Sequence, residues 1–416
     1  VVEVVDRATR LPERPAWRIA WAAGAVAIGM GLALAAGAIG PAVAVAAGVV
    51  VAFSGVSVLV RTLPSQAPVR RQWSPRVLAS LGAVLLLLVA MVAVEWNDRR
   101  GGGRSAGDAE TVLRCNGHVE LCDRRLNEVV FAGTHNSMSS ADAGFLFGEQ
   151  TKTIAGQLQG GVRLLMLDTH YGSPTSTGLV LTDLVFNDRA ALVRRYGDQA
   201  VANIEALRST VVQVTGPSQV YLCHSFCELG ATPATQAFRD IRDFLAKNPS
   251  EVVVLIIEDS TQAVDTVRSL HASGLANLAY RKPPDTPWPT LGELIRNGTP
   301  LVVFSQRQGG YPDWFLPAFS HIQDNPFTAK SIDELSCAPN RGPLHADLLL
   351  MNHWIDSSPP NVADAARIND RDFIVDRARR CAEVRGQMVN FIAVDFWETG
   401  GLLAAVDELN LGSPSQ

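Results

Sequence analysis

Four short apolar runs, each stopping on a polar residue able to do chemistry, constrain this chain more than any other feature. The first, Glu128 to Phe131, breaks at Gly133 and delivers His135 and Asn136 side by side. The others are Arg163 to Asp168, Tyr221 to His224 and Val252 to Glu258. A run of this kind reads as a parallel strand buried on both faces, with chemistry presented at its C-terminal tip. One run alone is weak evidence, because Gly-Thr-His-Asn-Ser is also an ordinary turn whose Asn and Ser bond local backbone. Four in order point to a common site.

Apolar runs alternating with helical periodicity extend the series. Strands are predicted at Glu128–Thr134, Val162–Thr169, Val220–His224, Glu251–Asp259, weakly at Leu275–Tyr280, and at Leu301–Gln306, Leu348–Trp354 and Val389–Trp397. Helices are predicted at Thr151–Gln159, Pro233–Lys247, Thr261–Ala272, Thr290–Arg296, Val362–Cys381 and Leu402–Leu409. The series predicts an α/β fold, a TIM-type (β/α)8 barrel over 115–416. A doubly wound open sheet is the alternative, but no Gly-rich dinucleotide fingerprint follows any strand. Ser173–Gly216 is longer than one helix needs and reads as an elaborated connection that shapes the mouth, partly helical from Asp188 to Arg208.

The N-terminal region departs from this pattern. Ile19–Val60 and Val77–Val94 contain no charged residue. A membrane crossing takes about 20 apolar residues as helix, so the first block exceeds one span. Gly40-Pro41 makes a hairpin there, and α-helical spans are expected near 17–39, 42–60 and 77–94. The predicted organisation is a transmembrane region of about three spans over 1–96, a Gly-containing linker over 97–114, and then the barrel. A cleaved signal peptide is disfavoured by the amount of apolar sequence; a buried helical domain is the bland alternative. Arg7, Arg10, Arg14 and Arg18, with Arg61, Arg70, Arg71 and Arg76, place those segments inside, although Arg99, Arg100 and Arg104 count against this. All six cysteines follow the last apolar block, which fits disulfides in an oxidising space. The expected location is therefore the plasma membrane, multi-pass, with the barrel extracytoplasmic. A net charge of −5 and the lack of a basic patch interleaved with aromatics argue against nucleic acid. Oligomeric state is not legible.

At the predicted mouth, His135 and His224 suit general acid–base work, since histidine titrates near neutrality without tuning. Asn136, Asp168 and Glu258 offer oxygens to a hard cation, calcium or alternatively magnesium. Together they suit in-line displacement at a phosphodiester. Against this, a single histidine is more often a satisfied polar side chain, Asp168 could pair with Arg163, and Asp259 reads as the cap of the helix from Thr261. Trp314, Phe315 and Trp354 belong either to a lipid-facing rim or to the core. Cys223 and Cys227 bracket His224, and a bridge there would stiffen its loop. Cys115 with Cys122 and Cys337 with Cys381 are the natural remaining pairs among several connectivities.

The runs Ala132-Gly-Thr-His-Asn-Ser137, Gly161-Val-Arg-Leu-Leu-Met-Leu-Asp168, Leu222-Cys-His224 and Leu255-Ile-Ile-Glu258 resemble the catalytic X region of phosphatidylinositol-specific phospholipase C, in order from Glu128 to Trp397. The resemblance implies a distorted TIM-type barrel, here in a bacterial membrane-anchored member. It implies that His135 deprotonates the inositol 2-hydroxyl for attack on phosphorus and that His224 protonates the departing glycerol oxygen. The family's metal-dependent branch implies calcium ligands at Asn136, Met166, Asp168 and Glu258; Met166 is a departure, because a carboxylate is expected there. The metal-independent branch has an arginine where Asp168 stands, and Asp168 departs from that too. Ser305 and Arg307 fall where the family contacts phosphate, making Arg307 a substrate-binding candidate along with Arg163 and Asp395. The expected activity is that of a phosphoric diester hydrolase or lyase acting on a phospholipid. The alternatives are a barrel that binds a phosphoinositol or glycan headgroup without turnover, and a magnesium-dependent enzyme like sphingomyelinase D or glycerophosphodiesterase.

Overall fold

The computed structural model describes residues 112–183, 189–210 and 213–412. The expected spans near 17–39, 42–60 and 77–94 lie outside the described residues, among which no helix is long and apolar enough to cross a membrane. The described residues belong to one compact unit, Thr111–Gln416.

The strands are β1 (Phe131–Thr134), β2 (Leu164–Pro174), β3 (Val180–Thr182), β4 (Gln219–Leu222), β5 (Thr232–Pro233), β6 (Val253–Asp259), β7 (Leu301–Ser305), β8 (Phe315–Pro317), β9 (Ile322–Asp324), β10 (Leu348–His353) and β11 (Phe391–Val394). The helices are α1 (Ile154–Gln159), α2 (Arg189–Tyr196), α3 (Asp198–Thr210), α4 (Ala234–Lys247), α5 (Ala263–Ser273), α6 (Leu291–Arg296), α7 (Ala318–His321), α8 (Val362–Ile368), α9 (Arg371–Arg385) and α10 (Leu402–Leu411). Strands β8-β7-β6-β2-β1-β11-β10-β9 form one ladder, parallel throughout.

Each ladder strand is apolar on both faces, as a parallel sheet between helices and interior requires. Leu164, Met166, Val254, Ile256, Phe304 and Phe391 share the interior cluster. Their neighbours Leu165, Leu167, Leu255 and Val303 pack with Phe238 and Ile241 of α4. On the other flank, Ala132, Met351 and Ile392 pack with Ile374 and Ala378 of α9 and Ala405 of α10. Each large side chain so buried contributes about 1.5–3 kcal/mol. Gly133 is required where β1 meets β2: a Cβ there would stand 2.5 Å from Leu164 Cδ2.

The fold is thus α/β and barrel-like, but the ladder is open. Among the described pairings, β8 and β9 are not bonded to each other. Only the four residues of α7 separate them, far fewer than the dozen or so that a crossover between adjacent parallel strands needs. The eight predicted strands match the count through two compensating errors. Val220–His224 is not a barrel strand: β4 runs antiparallel on the far end of β2. Leu275–Tyr280 is mainly a 3-10 turn, Leu275–Leu278, with one bridge from Ala279 to Leu301. In their place stand β8 and β9, too short to announce themselves by periodicity.

The helices follow the sequence closely, with one informative break. The predicted Val362–Cys381 helix divides into α8 and α9, because Asp370 caps Asp372 N and Phe373 N and begins a new helix. The disulfides Cys115–Cys122, Cys223–Cys227 and Cys337–Cys381 are formed. Trp314 and Phe315 are core residues, at 1% and 0% exposure.

Candidate active site

A cavity of about 1020 Å³ opens at the C-terminal ends of the parallel strands, and His135, Asn136, Asp168, His224, Glu258, Arg307 and Asp395 all line it. His135 and Asn136 follow β1, Asp168 and Glu258 are register partners on β2 and β6, and Asp395 follows β11. His224 arrives by another route. Strand β2 continues past the ladder, pairs with β3 and β4, and the turn after β4 carries His224. The turn is tied by the Cys223–Cys227 bridge and by Phe226 N donating to His224 O at 2.7 Å.

Each histidine meets a buried carboxylate. His135 Nδ1 lies 2.9 Å from Asp395 Oδ1, and His224 Nδ1 lies 2.7 Å from Glu149 Oε1. An ionised carboxylate only accepts, so each Nδ1 carries the proton, and both rings line the cavity. The His135 ring also stacks on Trp354, with centroids 3.7 Å apart and planes within 5°. Burial works to raise the Glu149 carboxyl, but the charge and hydrogen bond of His224, with a smaller contribution from the His135 charge, outweigh it and hold the group low. For Asp395 burial wins and the carboxyl is pushed up; His135 opposes this and the Glu149 charge adds to it.

The two pairs are joined through Glu149 and Gln150. Asn136 Nδ2 donates to Glu149 Oε1 at 3.2 Å, and Phe396 N donates to Glu149 O at 2.8 Å. Gln150 Nε2 donates to His135 O at 2.8 Å and to Val394 O at 2.9 Å. Asn369, at the α8–α9 break, donates from Nδ2 to Asp395 O at 2.7 Å. Three non-glycine residues in the left-handed region directly follow a member of these pairs: Asn136 (φ 42°), Ser225 (φ 67°) and Phe396 (φ 47°). Such a backbone costs about 1–2 kcal/mol per residue and gathers where surrounding structure holds a functional side chain in place.

The remaining expected residues are distributed as follows. Arg307 reaches back to Glu258 (Nη2–Oε1 2.7 Å). Asp259 is not a helix cap; buried, its Oδ1 accepts from Ser305 Oγ at 2.9 Å and Arg307 N at 3.0 Å, fixing the loop that carries Arg307. Arg163 does not reach the cavity. It stands before β2, at the opposite end of the strands, where Nε donates to Glu251 at 2.7 Å and Nη1 to the carbonyls of Leu158 and Val162. It is a structural ion pair rather than a substrate contact. Glu149, Gln150 and Asn369 were not legible beforehand: no periodicity marks the loop holding Glu149, and 75 residues separate it from His224. The Asn-Asp pair at 369–370, a helix-start signal inside a helical pattern, could have flagged the break.

The sequence profile of the PI-PLC X family matches residues 121–215 and 193–410. The PI-PLC X domain-containing protein 1 of Arthroderma benhamiae is 25% identical over 323 residues, covering 72% of this chain and 90% of the relative. A PI-PLC X domain-containing protein of Arabidopsis thaliana is 26% identical over 319 residues, covering 68% of this chain and 62% of its own length. Among solved structures, the phosphatidylinositol-specific phospholipase C of Listeria monocytogenes is similar, at 16% identity and a TM-score of 0.38, over 70% of this chain and 95% of that one. With the profile spanning the strand ends and every member of both histidine–carboxylate pairs, the chain belongs to the PI-PLC X domain family.

Proposed function

We propose that this protein is a membrane-anchored phosphodiesterase of the phospholipase C type, its barrel facing an extracytoplasmic space and its substrate a phosphatidylinositol-like phospholipid. The observation that carries the reading is the pair of histidine–carboxylate couples in one cavity. In this mechanism neutral His135, its Nδ1–H held by Asp395, takes the proton of the inositol 2-hydroxyl through Nε2. The freed oxygen forms a bond to phosphorus as the bond to glycerol oxygen breaks, and protonated His224 gives its Nε2 proton to the leaving oxygen. The products are a cyclic phosphodiester and diacylglycerol, and one proton has moved from each side without net loss. Asp395 stabilises the imidazolium that forms at His135, and the Glu149 carboxylate faces the His224 ring that acts as the acid. Arg307 supplies positive charge beside the phosphoryl oxygens.

A divalent cation is the expectation that the donor set supports least. The Asn136 amide nitrogen is turned to Glu149, Glu258 is held by Arg307, and the Met166 thioether lines the cavity where another oxygen is wanted. Among the described residues, no group of three or more His, Cys, Asp or Glu side chains is gathered to hold a metal. The residues as arranged do not fit a dedicated metal centre, and no step is routed through one. The three disulfides and the charge-free N-terminal stretches support the location. Met166 also supports a second reading, a headgroup-binding barrel without turnover. Incubating the full chain with phosphatidylinositol vesicles, with and without chelator, separates these: chelator-resistant turnover supports the proposal, and no turnover under any condition supports the binder.

A further inference from the structure

Three neighbouring ladder strands end in one row. Thr134 of β1 and His353 of β10 are both register partners of Val394 on β11. One step beyond that row stand an imidazole, a carboxylate and an indole: His135, Asp395 and Trp354. Asp395 meets the edge of the His135 ring, and Trp354, itself buried, covers a face, with centroids 3.7 Å apart and planes within 5°. With carbon contacts of about 3.5 Å, parallel rings at this centroid distance are offset by roughly 1 Å and overlap almost fully. Neutral aromatic rings avoid such a sandwich and meet offset or edge-on, because their negative faces repel. A cation over an indole face is instead attracted to it. Other histidines of the same chain show the contrast. His321 meets Trp288 at 79° and His353 meets Phe373 at 65°, both edge-on. Burial pulls both of these imidazoles down, His353 to about 3, so each is a neutral ring at neutral pH.

We propose that Trp354 is a positioning residue for proton transfer, its indole face favouring the charged form of His135 that exists once the ring has taken a proton. In the reaction proposed above, that proton leaves the inositol 2-hydroxyl, and the stack is strongest when it has arrived. The inference rests on the phosphodiesterase reading for this step, but not for the preference of the stack for a charged ring. The titratable groups that face the stack are Asp395 after β11, Glu149 from its loop and His224 from the turn after β4. Asp364 of α8 shares a narrow side pocket with Trp354 and Asp395. Asp168, Glu258, Arg307, Lys330, Arg341 and Asp356 line the same cavity. Among the described contacts, Asp395 is the one that bonds the ring, and it is unchanged in every variant below.

The test replaces Trp354 in the full chain, site-specifically, by tryptophans carrying increasing numbers of ring fluorines. These keep the shape of the ring and weaken the negative charge of its face stepwise. On vesicle phosphatidylinositol, kcat/KM is expected to fall along the series, by roughly 2- to 30-fold for the most fluorinated ring. The acid limb of the kcat/KM profile should also move to lower pH, because the base loses a partner that favours its charged form. Trp354→Leu should reproduce both changes, and Trp354→Phe should lie between. A rate that does not follow fluorination, or an acid limb that stays in place while the rate falls, overturns the proposal and leaves Trp354 a packing residue. A second measurement needs no turnover. Thermal melts of the wild-type and fluorinated chains are compared at about pH 5 and about pH 8, either side of the ordinary histidine range. The fluorinated chain should lose melting temperature at the lower pH and little at the higher, and His135→Gln should abolish that difference. Equal losses at both pH values, or a difference that persists without the imidazole, overturn the proposal. If the wild type turns over no phosphodiester, the phosphodiesterase reading fails while the melts still decide the stack.

Discussion

Replacing Asp395 by Asn separates a chemical role from a structural one. The substitution keeps the shape and a hydrogen bond to His135 Nδ1, now 2.9 Å from a carboxylate oxygen, but removes the charge. As His135 accepts a proton in the transition state, the contact becomes a charge-assisted bond between side chains that are 20% and 10% exposed. Such bonds are worth about 1.5–3 kcal/mol against about 0.5–1.5 for neutral ones, and at this separation the low dielectric adds to the difference. A loss of about 1–2.5 kcal/mol in transition-state stabilisation follows, roughly 5- to 70-fold in kcat/KM. Stability should move the other way. Burial holds the Asp395 carboxyl above its ordinary value, so the folded state disfavours its ionised form and the neutral amide leaves the melting temperature unchanged or raised. The assay is steady-state turnover of phosphatidylinositol beside a thermal melt, repeated in a His135→Ala background. There Asp395→Asn should cost almost nothing further, because it acts through His135. A loss below threefold, a parallel fall in melting temperature, or full additivity in the double variant would each refute the reasoning.

Other perturbations give distinct outcomes. Glu149→Gln should lower turnover about tenfold through the neutralised bond to His224. Because the Glu149 carboxyl is held below its ordinary 4.5, its stabilising contribution is complete above that value and lost as pH falls through the lowered one. Melts between pH 3 and pH 7 should therefore show a smaller acid loss for the variant than for the wild type. Fully buried His353, whose Nδ1 faces Arg377 Nη1 at 2.8 Å and whose Nε2 faces Ile368 O at 2.9 Å, is pushed down to about 3 by burial. The unfolded chain binds its proton first, so denaturant unfolding should show stability falling by about 1.4 kcal/mol per pH unit below 6.5 on this account; a flat profile would contradict it. Arg163→Met should cost about 2 kcal/mol of stability by breaking the partly buried pair with Glu251, while kcat stays at the wild-type value.

How much was readable in the chain depends on what each residue does. Polar residues at the ends of ladder strands, His135, Asp168 and Glu258, were legible, because burial on both faces writes an apolar run that stops where the cavity begins. His224 was found as a residue but not as a position: its run looks like a ladder strand, yet β4 is an antiparallel arm on the extended β2. Period-two reasoning cannot tell which partner a short apolar run will choose. Arg163 was misplaced for a related reason, since a charged residue just before a strand lies at the end opposite the mouth. Glu149 and Asn369 were not legible at all. Their roles are made by tertiary hydrogen bonds across the fold, to His224 and to the Asp395 carbonyl, and no local pattern encodes such a partner.

The most direct measurement follows phosphatidylinositol vesicles and the full chain by phosphorus NMR. A five-membered cyclic phosphodiester signal should grow with time, persist in chelator, and vanish in both His135→Ala and His224→Ala. A wild type that forms no cyclic product, or variants that continue to form it, would contradict the assignment of the two histidines.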